Sequence, residues 1–410
     1  MKIAIAGQTS LQQLADLVDQ PTTVPAGRGG TPPLPEVRAL IARGHDVVLI
    51  TDDPDLTSEV VLHGDRLTVH VGPFRQRRAA RDGFRTERQF VTETLLRCRP
   101  DVVHAHWTYE YALGALATGL PTVVTAHDAP LIELRHQLPT TRGGPLFAQM
   151  PITAHFSVRA AMAARVASKA KHLIAVSPYV ERHFRRVLRY RGEITVIPNL
   201  MAPVSHRPVP TGGRPNESLK FFTILTSWST RKNGTAAIEA FAEVRACLPH
   251  ASLDMIGNGL GPGGPAEGWA AEHGMADGIT FVGPLPHDRV LDALATADVL
   301  LHPALEESCC MVIAEAQLAG VAVIGGAHSG GVPWQLDYGR AGLLVDVRDT
   351  ARIAVAMREL AVDSALRSKL ARAGADLAQQ RHDPDRLIAS IEALLDATAR
   401  DDRTKTDRTV

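Results

Sequence analysis

Short runs of β-branched and aliphatic residues alternate with longer stretches of helical period along the whole chain. That alternation is the sequence form of parallel α/β layers. In the first half it predicts strands at Lys2–Ala6, Asp46–Thr51, Val102–Ala105, Thr122–Thr125, His172–Val176 and Thr195–Ile197. A second series is predicted at Phe221–Leu225, Leu253–Ile256, Thr280–Val282, Val299–Leu301, Val321–Ile324 and Leu343–Val345. Residues 201–218 are rich in Pro and Gly and carry no period, which marks a linker between domains at 1–200 and 219–380. Asp383-Pro384 reads as a cap and first-turn pair, with Leu387, Ile388, Ile391, Leu394 and Leu395 on one helical face. A final helix over 381–398 is therefore expected to pack back toward the N-terminal domain, and the polar stretch 399–410 is expected to be disordered.

At 410 residues the chain is too long for one ordinary core, which agrees with two domains. Apolar residues at 45% and charged residues at 21% are a globular mix. Lys plus Arg equals Asp plus Glu at 44 each, so no global field recruits nucleic acid or an anionic membrane. The apolar runs are strand-sized, short of the ~20 residues a membrane-spanning helix needs. Met1 to Gly7 reads as a first buried strand rather than a signal peptide. Cys98, Cys247, Cys309 and Cys310 have no zinc-like spacing, and a disulfide framework is not expected. The expected location is cytoplasmic.

Open parallel sheets bind ligands beyond the C-terminal ends of their strands, so a cleft between the two domains is the expected site. His106 follows the third predicted strand, His127-Asp128 the fourth, Ser177 the fifth, Asn199 the sixth, and Lys232 the first strand of the second series. The most informative stretch is Glu307-Ser-Cys-Cys-Met-Val-Ile-Ala-Glu315. Pro303 breaks the strand before it, Met311–Leu318 reads as a helix and Gly320 ends that helix. The N–H groups of Cys309, Cys310, Met311 and Val312 would then form an anion seat at the helix start. With about 1.5 Å of rise per residue, Glu307 and Glu315 fall roughly 10 Å apart. A nucleotide-sugar fits that spacing, with pyrophosphate at the helix start and a carboxylate at each polyol end. A core helix with a capping Glu and a solvated Glu fits it too.

The remaining candidates each carry two readings. Gly29 and Gly30, in Gly27-Arg-Gly-Gly30, let the backbone approach a phosphate or sugar closely, or form a surface turn. In Ser227-Trp-Ser-Thr-Arg-Lys-Asn-Gly234, Lys232 can neutralise a diphosphate and Arg231 can add a forked contact, or both are solvated. His127, held by Asp128, can donate to a sugar hydroxyl or act as acid or base, or is a satisfied buried histidine. His104 and His106 are expected on opposite faces of their strand, with His106 toward the ligand and a metal pair disfavoured. Gly257-Asn-Gly-Leu-Gly-Pro-Gly263 departs from the dinucleotide register and reads as a flexible turn near the nucleotide. Gly330-Gly331 either approaches phosphates or forms a turn, and the arginines from Arg75 to Arg88 read as a solvated helix face.

Together these segments resemble the family 4 retaining glycosyltransferases of the GT-B fold, which has two Rossmann-like parallel-sheet domains facing across a cleft. The E-x7-E motif is matched by Glu307 and Glu315. Weaker matches are Asp101–His106, Val123–His127, Ile174–Ser177, Val196–Asn199 and Gly330–Pro333, so the resemblance covers nearly the whole chain. It implies that Glu307 binds hydroxyls of the transferred sugar and Glu315 the ribose, while amides from Cys309 to Val312 hold sugar and diphosphate. Lys232 would meet the diphosphate, with Ser227 and Arg231 in the same donor loop; His127 would meet the donor sugar, and Gly29 and Gly30 would border donor and acceptor. Three departures stand out: Ser227-Trp228 replaces the family's Gly-Arg, Cys309-Cys310 its Phe-Gly, and Trp334 its Glu.

The implied reaction moves a hexose-type sugar from a UDP-linked donor to an acceptor hydroxyl with retention. The hydroxyl attacks on the face the nucleotide leaves, and the departing diphosphate takes the proton. The resemblance implies no cofactor beyond the nucleotide-sugar co-substrate, and no metal. Partners are then the donor and a small-molecule or glycan acceptor, without nucleic acid; no transmembrane segment is expected, and peripheral membrane contact is left open. The alternatives are a sugar-nucleotide epimerase or hydrolase of the same fold, and a nucleotide-sugar-binding protein without catalysis.

Overall fold

The computed structural model describes residues 1–20, 24–30, 32–138, 146–201 and 219–406. The chain divides into two compact units, Met1–Ala202 together with Pro384–Val410, and Pro203–Asp383. The predicted linker lies, apart from Met201, outside the described residues.

The first unit is built on a sheet of eight strands among the described residues. They are β1 (Lys2–Ala6), β2 (Asp46–Asp53), β3 (Val60–Gly64), β4 (Leu67–Pro73), β5 (Val102–His106), β6 (Thr122–Ala126), β7 (His172–Ala175) and β8 (Glu193–Val196). Their order is β3-β4-β2-β1-β5-β6-β7-β8. Ile3, Ala4, Ile5 and Ala6 of the central β1 are fully buried, with Ile3 level with Val47 on one side and Val102 on the other. The β3–β4 hairpin is absent from the sequence prediction, and β3 is antiparallel to β4. Thr68, His70 and His63 interrupt its apolar run, so it lacks the continuous apolar signal of a central strand. Asp65-Arg66 makes its two-residue turn, with Arg66 at φ 55°.

The Pro33–Ala42 helix packs Leu34, Val37 and Leu40 into the core of this unit. The Pro384–Thr406 helix adds Leu387, Ile388, Ile391, Leu395 and Ala399 to the same core. Disorder from residue 399 is therefore a wrong expectation: the apolar stripe runs one more turn, from Leu395 to Ala399, and carries the helix on to Thr406. Residues 407–410 lie outside the described set.

The second unit holds a parallel sheet in the order β11-β10-β9-β12-β13-β14. Its strands are β9 (Lys220–Ile224), β10 (Ser252–Ile256), β11 (Ile279–Gly283), β12 (Val299–His302), β13 (Ala322–Gly326) and β14 (Leu343–Val345). Helices cover both faces. Ile238, Phe241 and Val244 of the Gly234–Cys247 helix join one core, and Ile313 and Ala316 of the Met311–Leu318 helix join the other. Phe241 and Ile313 are fully buried, worth about 1.5–3 kcal/mol each in burial. No described helix is long and apolar enough to cross a membrane.

Candidate active site

In the second unit β9 and β12 are neighbours, so the loops leaving their C-terminal ends lie side by side. Asn233, in the left-handed conformation at φ 54°, ends the short Thr230–Lys232 turn. Its Nδ2 donates to the carbonyls of Pro303 at 3.1 Å and Val347 at 2.8 Å, and Leu305 N–H donates to Arg231 O at 2.8 Å. The two loops are thereby stitched together, and Lys232 Nζ comes to 2.5 Å from Glu307 Oε1. The same oxygen lies 3.2 Å from His302 Nε2, which is itself 3.5 Å from Cys310 Sγ.

These groups line a pocket of about 380 Å³. Lys232, His302, Glu307 and the run Cys309 to Val312 form one side, and the C-terminal ends of β9 and β10, with Gly257 and Asn258, form another. Burial alone would raise the Glu307 carboxyl, but the Lys232 charge and the His302 bond hold it well below the usual carboxylate range. Burial would lower His302; Cys310 and Glu307 outweigh it and push the imidazole up to about 9. At neutral pH the floor thus carries two cations around one carboxylate, at the positive end of the Met311–Leu318 helix. That field suits an anion.

Not every expected amide is available. Gln335 Oε1 accepts the Cys310 N–H at 2.8 Å, and Gln335 Nε2 donates to Cys310 O at 2.8 Å. The expectation that Cys310 N–H serves the ligand fails for that reason, and the first-turn N–H groups of Met311 and Val312 remain. Gly331 N–H is likewise spent on Glu307 O at 2.7 Å, so Gly330-Gly331 supports the Glu307 loop instead of approaching a phosphate.

Other predicted donor residues stand back from the pocket. Ser227 Oγ donates to Ser229 Oγ at 3.2 Å, and Arg231 donates to Glu306 O at 3.0 Å. Neither lines the pocket, although Arg231 adds to the positive field on Glu307. Buried Glu315 meets His287 Nε2 at 2.8 Å, and that bond raises the imidazole. Trp228 is a packing residue: its ring fills the space beside Gly234, where a Cβ would come within 2.5 Å, and lies 6.4 Å from Trp269. Trp334 carries Arg381 over its ring at 3.9 Å.

In the first unit, β5 and β6 are neighbours and set His106 beside His127, with Nδ1 to Nε2 at 2.9 Å. His104 and His106 share one face of β5, with ring centroids 4.4 Å apart. The expectation of opposite faces was wrong, because residues two apart on a strand point the same way. Glu36, from the Pro33–Ala42 helix, meets His104 Nδ1 at 2.6 Å and His106 Nε2 at 3.3 Å. Asp128 accepts the Tyr109 hydroxyl at 2.8 Å, and His106 meets His127. Gly29 and Gly30 have φ of +80° and +116°, and a Cβ on Gly30 would lie 2.7 Å from Gln8 O. Between Gly27 and Gly29, Arg28 forms ion pairs with Asp52 at 3.0 Å and Glu110 at 2.6 Å under the Phe74 ring.

The sequence profile described as Glycosyltransferase Family 4 matches residues 36–201, and the one described as Glycosyl transferases group 1 matches residues 212–377. The chain belongs to glycosyltransferase family 4. This family 4 chain is 37% identical over 119 residues to a D-inositol 3-phosphate glycosyltransferase of Streptomyces avermitilis, covering 29% of the chain and 25% of that relative. The chain thus spans about a quarter of that curated relative's length. The enzyme of the same name from Stackebrandtia nassauensis is 25% identical over 91% of the chain and 88% of its own length. A Mycobacterium tuberculosis GDP-mannose-dependent alpha-(1-6)-phosphatidylinositol monomannoside mannosyltransferase is 33% identical over 32% of the chain and 36% of its own. Among solved structures, sucrose-phosphate synthase from Thermosynechococcus elongatus superposes with a TM-score of 0.73 at 18% identity, covering 96% of this chain and 98% of that one. Anabaena HepE in complex with UDP and glucose gives 0.66 at 16%, covering 97% and 100%. The fold is GT-B.

Sequence reasoning missed His302, Gln335, Glu36 and Arg28. His302 is the last residue of a predicted strand's extension, and Arg28 lies inside the quoted glycine motif, so both carried a positional signal. Glu36 and Gln335 carried none, since each acts on a partner that only the fold brings near.

Proposed function

We propose that this chain is a retaining glycosyltransferase that moves a hexose-type sugar from a nucleotide-sugar, UDP-linked in our reading, to an acceptor hydroxyl. The observation that carries the reading is the Lys232–Glu307 pair on the floor of a pocket facing the Met311–Leu318 helix start. Lys232 and the Met311 and Val312 amides meet the diphosphate and stabilise the charge that builds on it as the bond to the sugar breaks. Glu307 is fixed at Oε1 by Lys232 and His302, and its other oxygen accepts from hydroxyls of the transferred sugar. Glu315 serves the ribose. The acceptor hydroxyl attacks on the face the nucleotide leaves, and its proton passes to the departing diphosphate.

No resident metal or further cofactor is needed in this reading. Among the described residues two trios of potential ligands come together, Glu36–His104–His106 and His302–Glu307–Cys310. In the first Glu36 is already bonded to His104, and in the second Glu307 to Lys232, which supports a structural role for each. The names of the inositol phosphate relatives favour a small polyol or sugar phosphate as acceptor. The mannosyltransferase relative favours a second reading in which the donor is GDP-linked.

Thermal-shift titration against UDP-, GDP-, ADP- and dTDP-sugars identifies the donor, and NMR of the product's anomeric proton reads the stereochemistry with and without EDTA. Stabilisation by UDP-sugars and an EDTA-insensitive product with the donor's anomeric configuration are expected. An inverted product, or a donor that is epimerised or hydrolysed without acceptor, would sink the reading.

A further inference from the structure

Of the described side chains lining the second unit's pocket, three carry charge at neutral pH: Lys232, Glu307 and His302. Two of them cancel. Lys232 Nζ and Glu307 Oε1 share the hydrogen bond of 2.5 Å, and against the pull of burial Lys232 and His302 keep that carboxylate ionised. The pair by itself presents no net charge to a diphosphate. Arg231 does not change the balance at the pocket wall, since its guanidinium donates to Glu306 O at 3.0 Å and lies off the lining. A surplus of one positive charge therefore exists only while His302 holds its second ring proton.

The local structure keeps that proton in place. His302 ends β12, is 1% exposed, and sets Nε2 at 3.2 Å from Glu307 Oε1 and 3.5 Å from Cys310 Sγ. Burial works against the charged ring, but Cys310 from the helix start and Glu307 from the loop outweigh it. Lys232 and Arg231 bear on the same carboxylate from the donor loop. A third buried charge beside a pair already balanced costs stability, and an anion bound in front of it offsets that cost.

We propose that His302 is the residue that makes this pocket electropositive: a positioning residue that draws the diphosphate of a nucleotide by its charge, from behind Glu307 and without touching it. The inference rests on the nucleotide-sugar reading for its ligand and deepens it, with Lys232 meeting the diphosphate and His302 setting the net charge of the seat. Donor affinity is thereby tied to the proton on His302, and by reciprocity a bound diphosphate holds that proton more tightly.

Calorimetric titration of the full chain with UDP, GDP and the matching monophosphates, from about pH 7 to about pH 10, tests this on the wild type and on His302→Gln. Glutamine keeps a neutral N–H donor for Glu307 and removes the charge. At the neutral end the variant should bind the diphosphates about tenfold more weakly, the order of one screened charge pair, and the monophosphates by a smaller factor. The ratio of wild-type to variant affinity should shrink toward one as pH rises through about 9, where the wild type loses the same charge. Ionisation of the ligands cancels in that ratio. A ratio independent of pH, or equal losses for mono- and diphosphates, marks a merely structural fault and overturns the proposal.

The wild type decides even if the variant does not fold. Near the upper end of that range, UDP or GDP binding should take up more protons than binding of its monophosphate, read from heats in buffers of different ionisation enthalpy. Equal uptake is contrary to the proposal. A wild-type chain that binds neither nucleotide defeats the donor reading and this inference with it, whereas binding without the proton linkage defeats the inference alone.

Discussion

Lys232 and Glu307 lie 75 positions apart in the chain and share a hydrogen bond of 2.5 Å on the floor of one pocket. Both side chains are largely shielded from water, at 7% and 12% exposure. Each charge is thus the main compensation for the other, with His302 as a second partner of Glu307.

Lys232→Ala should lower kcat by about 10²–10³-fold, the usual cost of removing one group that stabilises developing charge. It should also destabilise the fold, by less than the about 3–5 kcal/mol of a fully stranded buried charge, because His302 still faces Glu307. Lys232→Ala combined with Glu307→Gln should recover much of that stability and none of the rate. Chemical melts and initial rates on the two variants check this; a double variant less stable than the single one is contrary to it.

His302 predicts a stability that depends on pH. Its value of about 9 stands above the ordinary 6.5, so the folded state binds this proton more tightly than the unfolded chain. The stabilisation is complete below about 6.5 and is lost as pH rises through about 9. Melting temperatures measured across that window should fall for the wild type more steeply than for His302→Asn. Parallel curves would assign the pH dependence to other groups.

Gln335→Ala should cost about 1–3 kcal/mol, since the N–H of buried Cys310 loses its partner and its carbonyl keeps only the long 3.4 Å bond from Ala314 N–H. Donor affinity should fall as well, because the first turn of the helix loses the anchor that aims Met311 and Val312. A thermal melt and a donor titration test the two effects separately.

Gly331→Ala should be disruptive although its φ of −81° suits any residue. A Cβ there would stand 2.2 Å from Ser308 O, directly behind Glu307. Overpacking of this kind costs about 1–3 kcal/mol, and the displaced loop should raise the donor KM. An alanine variant with wild-type melting and kinetics would show that the loop has more room than the backbone positions allow.

Along the chain, the alternation of apolar runs and helical periods determined the strands that build both sheets, the terminal helix and its apolar face, and the placement of Glu307 before a helix start. These are local properties, set by which residues lie two, three or four positions away. The β3–β4 hairpin escaped because Thr68 and His70 broke the apolar run that marks a central strand. Pairing was settled by the tertiary structure. Lys232 reaches Glu307 because β9 and β12 are neighbours, and His106 reaches His127 because β5 and β6 are, an order that crossover connections create and local period does not record. The same holds for Gln335, which takes an amide the helix start alone would have offered to a ligand, and for Glu36, whose carboxylate lies within 3.3 Å of two histidines 68 and 70 positions away. Hydrogen bonds and ion pairs act over about 3 Å, so they answer to proximity in space, and only the folded sheet supplies it.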